Sequence, residues 1–380
     1  MRNKEKFRKI ICTATLLSCQ AASAAIIPGI QGNSTTYQIV NVASDDTVQG
    51  DISFHNGVIN NKGLIKTTNH TSTLQGGSSR TVTLNNDGNI LFEGGITAGT
   101  LSIFNNPDGY MVFTNYIDGY QTTAIENAGT IAVANGVGDG IGAPAGSWVP
   151  FTYMFQGLIH NTGKFLIQRK NTPDGYDGGN VCLQWGRILT VNNEGYFEVG
   201  SGSKCDFGSD TASQYNKATY IQNSGETRIN GTFGAHVLDF KGGTLSGAGK
   251  VLRFPEQLIS ARFTISPGGN ANAPFSELTL VPEIGYSVLE HGALDFAIGG
   301  VNNNSKLHVD GDVYIVGNAK INVILKIGFV PSAGNSFTLL TANYVGTDDF
   351  NQDNLNLPKL PAGLQWHFEN DGTSLKLSVI

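Results

Sequence analysis

The chain reads as an all-β protein: a right-handed parallel β-helix (β-solenoid) with a distal β-rich capping segment. Three observations predict this. A corner phrase of apolar residue, Asn, spacer and Gly recurs seven times; apolar and polar residues alternate between the corners; and no apolar stretch keeps helical spacing for more than two turns. A unit of strand, Asn-x-Gly corner and strand cannot bury its apolar face alone, so copies must stack on one another.

The copies are Val58 to Ile65 (VINNKGLI), Leu84 to Ile90 (LNNDGNI), Phe104 to Tyr110 (FNNPDGY), Ile125 to Ile131 (IENAGTI), Ile159 to Phe165 (IHNTGKF), Val191 to Phe197 (VNNEGYF) and Ile221 to Thr227 (IQNSGET). Their turn glycines, Gly63, Gly88, Gly109, Gly129, Gly163, Gly195 and Gly225, are separated by 25, 21, 20, 34, 32 and 30 residues. Such intervals suit coils of a solenoid, some carrying inserted loops. Gly is expected to supply positive φ at the bend, with Asn as its best-tolerated companion. Stacked corners would also place the Asn amides one above another, each bonding to the next rung.

The chain opens on a basic head (Arg2, Lys4, Lys6, Arg8, Lys9), a short apolar stretch from Ile10 to Leu17, and Ala22-Ser23-Ala24, a small-x-small cleavage pattern. Residues 1–24 therefore read as a secretory signal peptide, too short in its apolar part to span a bilayer. An alternative lies inside it. Leu16-Leu17-Ser18-Cys19 resembles a bacterial lipobox, which would make Cys19 a lipidation site. Removing five basic residues and Glu5 with the leader leaves 19 basic and 29 acidic residues, a net charge of −10. That disfavours nucleic acid and anionic membrane as partners. No transmembrane segment is expected in the mature chain.

Residues 25–50 form an N-terminal cap with one strand-like run, Thr36 to Val42, shielding an otherwise open sheet edge. Residues 51–235 hold the Asn-x-Gly coils, with alternating strands such as Arg80 to Leu84 and Lys164 to Gln168. Two Gly-rich loops interrupt them, Asn135 to Pro150 and Asn171 to Asn180. The second carries Asp174, Tyr176 and Asp177, a candidate binding loop or a solvated connector. Cys182 and Cys205, the two cysteines left after the leader, lie 23 residues apart, close to one coil. They are a candidate disulfide between adjacent rungs, the alternative being two inert buried thiols.

From about residue 236 the idiom changes: HVLDFKGGTLSGAGKV (His236 to Val251), FTISPGGNANAPFSELTL (Phe263 to Leu280), KLHVDGDVYIVGNAKINVIL (Lys306 to Leu325) and GFVPSAGNSFTLLTA (Gly328 to Ala342). Residues 236–380 resemble the distal part of bacterial autotransporter passenger domains. Their Gly-rich GGTLSG coil, SPG turn, hydrophobic meander and closing LLTA phrase match these residues. The earlier half is similar to the β-helix of yeast hyphally regulated cell-wall proteins, and about equally to haemagglutinin-type repeats. The resemblance implies a β-helix with a secreted or cell-surface location and, on the bacterial side, a separate outer-membrane transporter.

The chemistry-bearing residues are sparse. The seven histidines are dispersed, and there is no H-E-x-x-H, G-x-S-x-G or Walker pattern. Asp174, Asp177, Asp206 and Asp210, with Arg169 or Arg187, are the acids and bases that a polysaccharide hydrolase or lyase would recruit. Acids in Gly-rich loops are more often turn formers. The reading is thus a non-enzymatic adhesion or interaction module with no cofactor and no metal. Its expected partner is a host-cell or matrix protein or a glycan. The alternatives are a polysaccharide-active β-helix and a purely structural surface-layer or stalk component.

Overall fold

Alternation in the sequence becomes alternation in burial. In Gly57–Asn61, Leu189–Asn193 and Phe263–Pro267 every second side chain is buried, so each strand lends one row of side chains to the interior and one to the surface. The computed structural model describes residues 24–380 except 33–35, 51, 68–72, 76–79, 93–94, 114–116, 136–151, 154–156, 170–179, 184–188, 208–217, 259, 269–273 and 349. Residues 1–23 of the leader, Cys19 among them, and Asp174, Tyr176, Asp177, Arg187 and Asp210 lie outside the described residues. The strands join into long, mainly parallel sheets, a β-solenoid, and among the described residues the one helical turn is a 3-10 turn at Gln352–Asn354.

Chain order defines the coil. Gly157–Asn161 belongs to a second sheet, Lys164–Arg169 to a first and Asn180–Leu183 to a third; Leu189–Asn193 then returns to the second sheet, directly alongside Gly157–Asn161. The first sheet runs the length of the solenoid, from Ile26–Ile27 to Leu355–Asn356. Residues 26–49 supply strands to the first and second sheets, so this segment is continuous with the stack. The second sheet ends at Val237–Phe240. A fourth sheet (Gln257–Leu258, Tyr286–Leu289, Asp312–Ile315, Tyr344–Gly346) then takes its place in the order of the coil. At the C-terminus Trp366–Asn370 and Ser374–Val379 form an antiparallel hairpin that pairs with Ser336–Thr341 and ends the third sheet.

The interior is one apolar column from Ile30 to Val379. Aromatic rings from successive rungs stack in it: Phe165 on Phe197 at 5.8 Å and Phe240 on Phe263 at 4.7 Å. Tyr220 is fully buried, and its hydroxyl is satisfied by donating to Thr227 Oγ1, which in turn donates to Gln222 Oε1. Burial pushes its phenol well above the usual tyrosine range.

The Asn corners carry a buried amide ladder. Asn61 Nδ2 donates to Asn86 Oδ1, Asn86 to Asn105 and Asn105 to Asn127, each at 2.8 Å; Asn127 then donates to Asn161 and Asn161 to Asn193, each at 2.7 Å. Each of these six side chains is at most 2% exposed. In the seventh copy the buried position is filled by Gln222, whereas Asn223 faces solvent and reaches Glu194. The ladder begins at Asn61 because the residue alongside it on the preceding rung is Val42, leaving Asn61 Oδ1 buried without a hydrogen-bond partner.

The glycines of these corners have a different cause from the one expected. Only Gly225 has a positive φ, 71°. The other six are required by close stacking: a Cβ on Gly88, Gly129, Gly163 or Gly195 would lie 2.1–2.2 Å from the carbonyl oxygen of the corner glycine one rung earlier. Asn89, Thr130, Lys164 and Tyr196 donate their backbone N–H groups to those same carbonyls. The corner is thus a backbone-on-backbone stack with no room for a side chain.

Candidate interaction surface

The outward residues form columns, because parallel register places residues from successive rungs side by side. On the second sheet Asn60 Nδ2 donates to Asn41 Oδ1 and Asn85 Nδ2 to Asn60 Oδ1, a second, exposed amide row. Further along, His160 Nδ1 lies 2.8 Å from Glu126 and its Nε2 3.9 Å from Glu194. On the first sheet Arg228 lies over the Tyr196 ring and pairs with Glu226, while Tyr196 donates to Glu198. Burial, followed by the Glu198 hydrogen bond and charge, holds the Tyr196 hydroxyl above its ordinary value. On the fourth sheet Tyr286, Tyr314 and Tyr344 form a row with ring centroids 6.2 and 5.7 Å apart, and Tyr344 is 48% exposed.

The third sheet carries the most constrained group. Asp206 is nearly buried and paired with Arg253, whose Nε also donates to the Ala235 carbonyl. Arg253 is the one non-glycine residue with positive φ among the described residues (54°), at a register shift between Val251 and Phe254. Its side chain is drawn back across Gly234, where a Cβ would lie 2.6 Å from Nη2. Gly234 sits alongside Asp206 on the next rung, so its missing side chain is what lets the guanidinium reach the acid. Sequence spacing gave no signal for this pair, which is 47 residues apart.

Among the sequence candidates, Cys205 is fully buried and disulfide-bonded, and register places Cys182 directly alongside it on the preceding rung. Asp206, one of the acids a hydrolase would recruit, is engaged by Arg253. Among the described residues no group of three or more His, Cys, Asp or Glu is arranged to hold a metal ion, and no helix is long and apolar enough to cross a membrane.

Residues 136–151 precede Thr152–Tyr153, residues 170–179 precede Asn180–Leu183, and residues 208–217 follow Lys204–Phe207. The candidate loop residues Asp174, Tyr176 and Asp177 belong to the second of these. No protein-family model matches the chain, and no curated protein sequence matches it either.

Proposed function

We propose that this is an exported, right-handed β-helix of the kind found in surface-exposed passenger proteins, working as a non-enzymatic adhesion or interaction module. The observation that carries this reading is the organisation of the surface. Parallel sheets present their outward side chains in columns at the rung spacing of about 4.8 Å, as in the Tyr286, Tyr314 and Tyr344 row of the fourth sheet. A stack of such columns repeats the same contacts along one line, an arrangement suited to an extended ligand. The leader pattern and the disulfide at Cys205 support passage through an oxidising compartment. The C-terminal antiparallel hairpin serves as the distal cap, and a separate outer-membrane transporter is the export partner that the passenger-like repeats imply.

The test is attachment of the fluorescently labelled mature chain to cultured epithelial cells and to immobilised matrix proteins and glycans. Saturable, competable binding is expected. Release of reducing or unsaturated sugar from a polysaccharide panel would replace this reading with the enzymatic one, and concentration-dependent filament growth without binding would replace it with the structural one. Mass spectrometry of a non-reduced digest is expected to recover Cys182 and Cys205 in one linked peptide pair.

A further inference from the structure

One column on the third sheet departs in charge from the rest of this acidic chain. Register aligns Lys204, Thr232, Lys250, Thr279, His308 and Thr341 on six successive rungs. All six point outward, since the residue following each (Cys205, Phe233, Val251, Leu280, Val309) is buried for the first five, and Leu340 is buried before Thr341. Basic residues therefore alternate with threonine hydroxyls, and like groups recur every second rung, about 10 Å apart. In the neighbouring column the Arg253 guanidinium lies over Gly234, between the levels of Lys204 and Lys250. Its Nε donates to the Ala235 carbonyl and its Nη2 to Asp206, and its Nη1 makes no hydrogen bond among the described residues. Among the described residues, the acids beside this column are few. Asp206 is committed to Arg253, and Asp310 meets Lys250 at 3.5 Å in a pair about half exposed on both sides, a contact weak enough to exchange for a ligand. Glu277 stands alongside Lys306.

We propose that this column is a binding track for an acidic polysaccharide lying along the solenoid axis, with carboxylates on alternate sugars meeting Lys204 and Lys250 and the Arg253 edge lying between them. Sugar hydroxyls between the carboxylates hydrogen-bond Thr232 and Thr279. The two-rung repeat matches an extended disaccharide unit. Duplex nucleic acid fits poorly, because it presents a charge about every 1.7 Å of axis, far denser than this array. Each exposed cation contributes little alone, so affinity comes from several contacts made along one chain and rises with its length. The proposal rests on the interaction-module reading and names its ligand class.

The experiment measures binding of the mature, disulfide-intact chain to size-fractionated hyaluronan, which carries one carboxylate per disaccharide. Carboxyl-reduced hyaluronan and poly(dT) serve as comparison probes. Expected are binding that strengthens with oligosaccharide length and weakens with salt, and a loss of roughly tenfold or more in the K204Q/K250Q double variant. K164Q, on the first sheet, is expected to bind as the parent does. Lysines 204 and 250 are outward-facing, so the double variant is expected to unfold at the parent temperature, which separates lost binding from lost fold. Equal affinity for the carboxyl-reduced polymer, an unchanged double variant, or preference for poly(dT) would each overturn the proposal. Absence of hyaluronan binding with cell attachment intact would overturn the track alone, whereas loss of both would overturn the module reading as well.

Discussion

At Gly129 a methyl group would sit 2.2 Å from the Gly109 carbonyl oxygen, which already accepts the Thr130 N–H. Gly129→Ala is therefore expected to push two corners apart and lower stability by about 2–4 kcal/mol, seen as a lower midpoint in chemical denaturation. The amide ladder gives a second residue-scale test. Asn127 accepts from Asn105 and donates to Asn161 and to the Lys164 carbonyl, so Asn127→Ala leaves buried groups unpaired on both sides. A loss of about 2–4 kcal/mol is expected. The end of the ladder behaves oppositely. Val42→Thr places a hydroxyl beside the unpartnered Asn61 Oδ1, so it is expected to be close to neutral. Val48→Thr, in the fully buried interior with no such acceptor, is expected to cost about 1–2 kcal/mol in the same titration.

At the scale of the element, the C-terminal hairpin is tied by Asp371 in its turn. Hydrogen bonds from Lys376 first, then from Ser374 and the Thr373 backbone, hold its carboxyl well below the ordinary 3.8. A depressed carboxyl favours the folded form above the ordinary value and loses that contribution as pH falls below it. Protection of the amides in Trp366–Asn370 and Ser374–Val379, taken relative to their intrinsic exchange rate at each pH, is accordingly expected to fall as pH drops below about 3.8, and Asp371→Asn is expected to remove that dependence. The strands themselves were largely legible, because apolar alternation in runs such as Lys164–Arg169 is a local property of the chain. The reason for the glycines was not. Positive φ is a property of one residue, but the crowding at Gly129 comes from a carbonyl 20 residues earlier. Gln222 was missed for a related reason: the motif pointed to Asn223, and only register shows which neighbour turns inward.

For the whole molecule, near one-dimensional stacking makes a coil the unit of tolerance. Asn61 and Asn86 occupy equivalent positions 25 residues apart. Deleting residues 62–86 removes one complete coil and brings Asn61 against Asn105. The shortened chain is expected to keep its β circular-dichroism spectrum and a cooperative transition. Deleting residues 62–74 instead puts interior residues on the surface and is expected to abolish that transition. The same one-dimensional order carries a seam. The second sheet stops at Phe240 and the fourth begins at Gln257, with the left-handed Arg253 and its tie to Asp206 in the rung between.

The amino-acid sequence alone determined that the chain is built from repeated β corners, where those corners fall and which apolar residues of the strands alternate inward, because each follows from residue type and short-range spacing. Only the tertiary structure decided which side chains became neighbours across rungs: the amide ladder and its unpartnered end, Asp206 under Arg253, and the Lys–Thr column of the third sheet. Those contacts join residues 18 to 47 positions apart through inter-strand register, and coils of unequal length hide that register from any fixed period in the sequence.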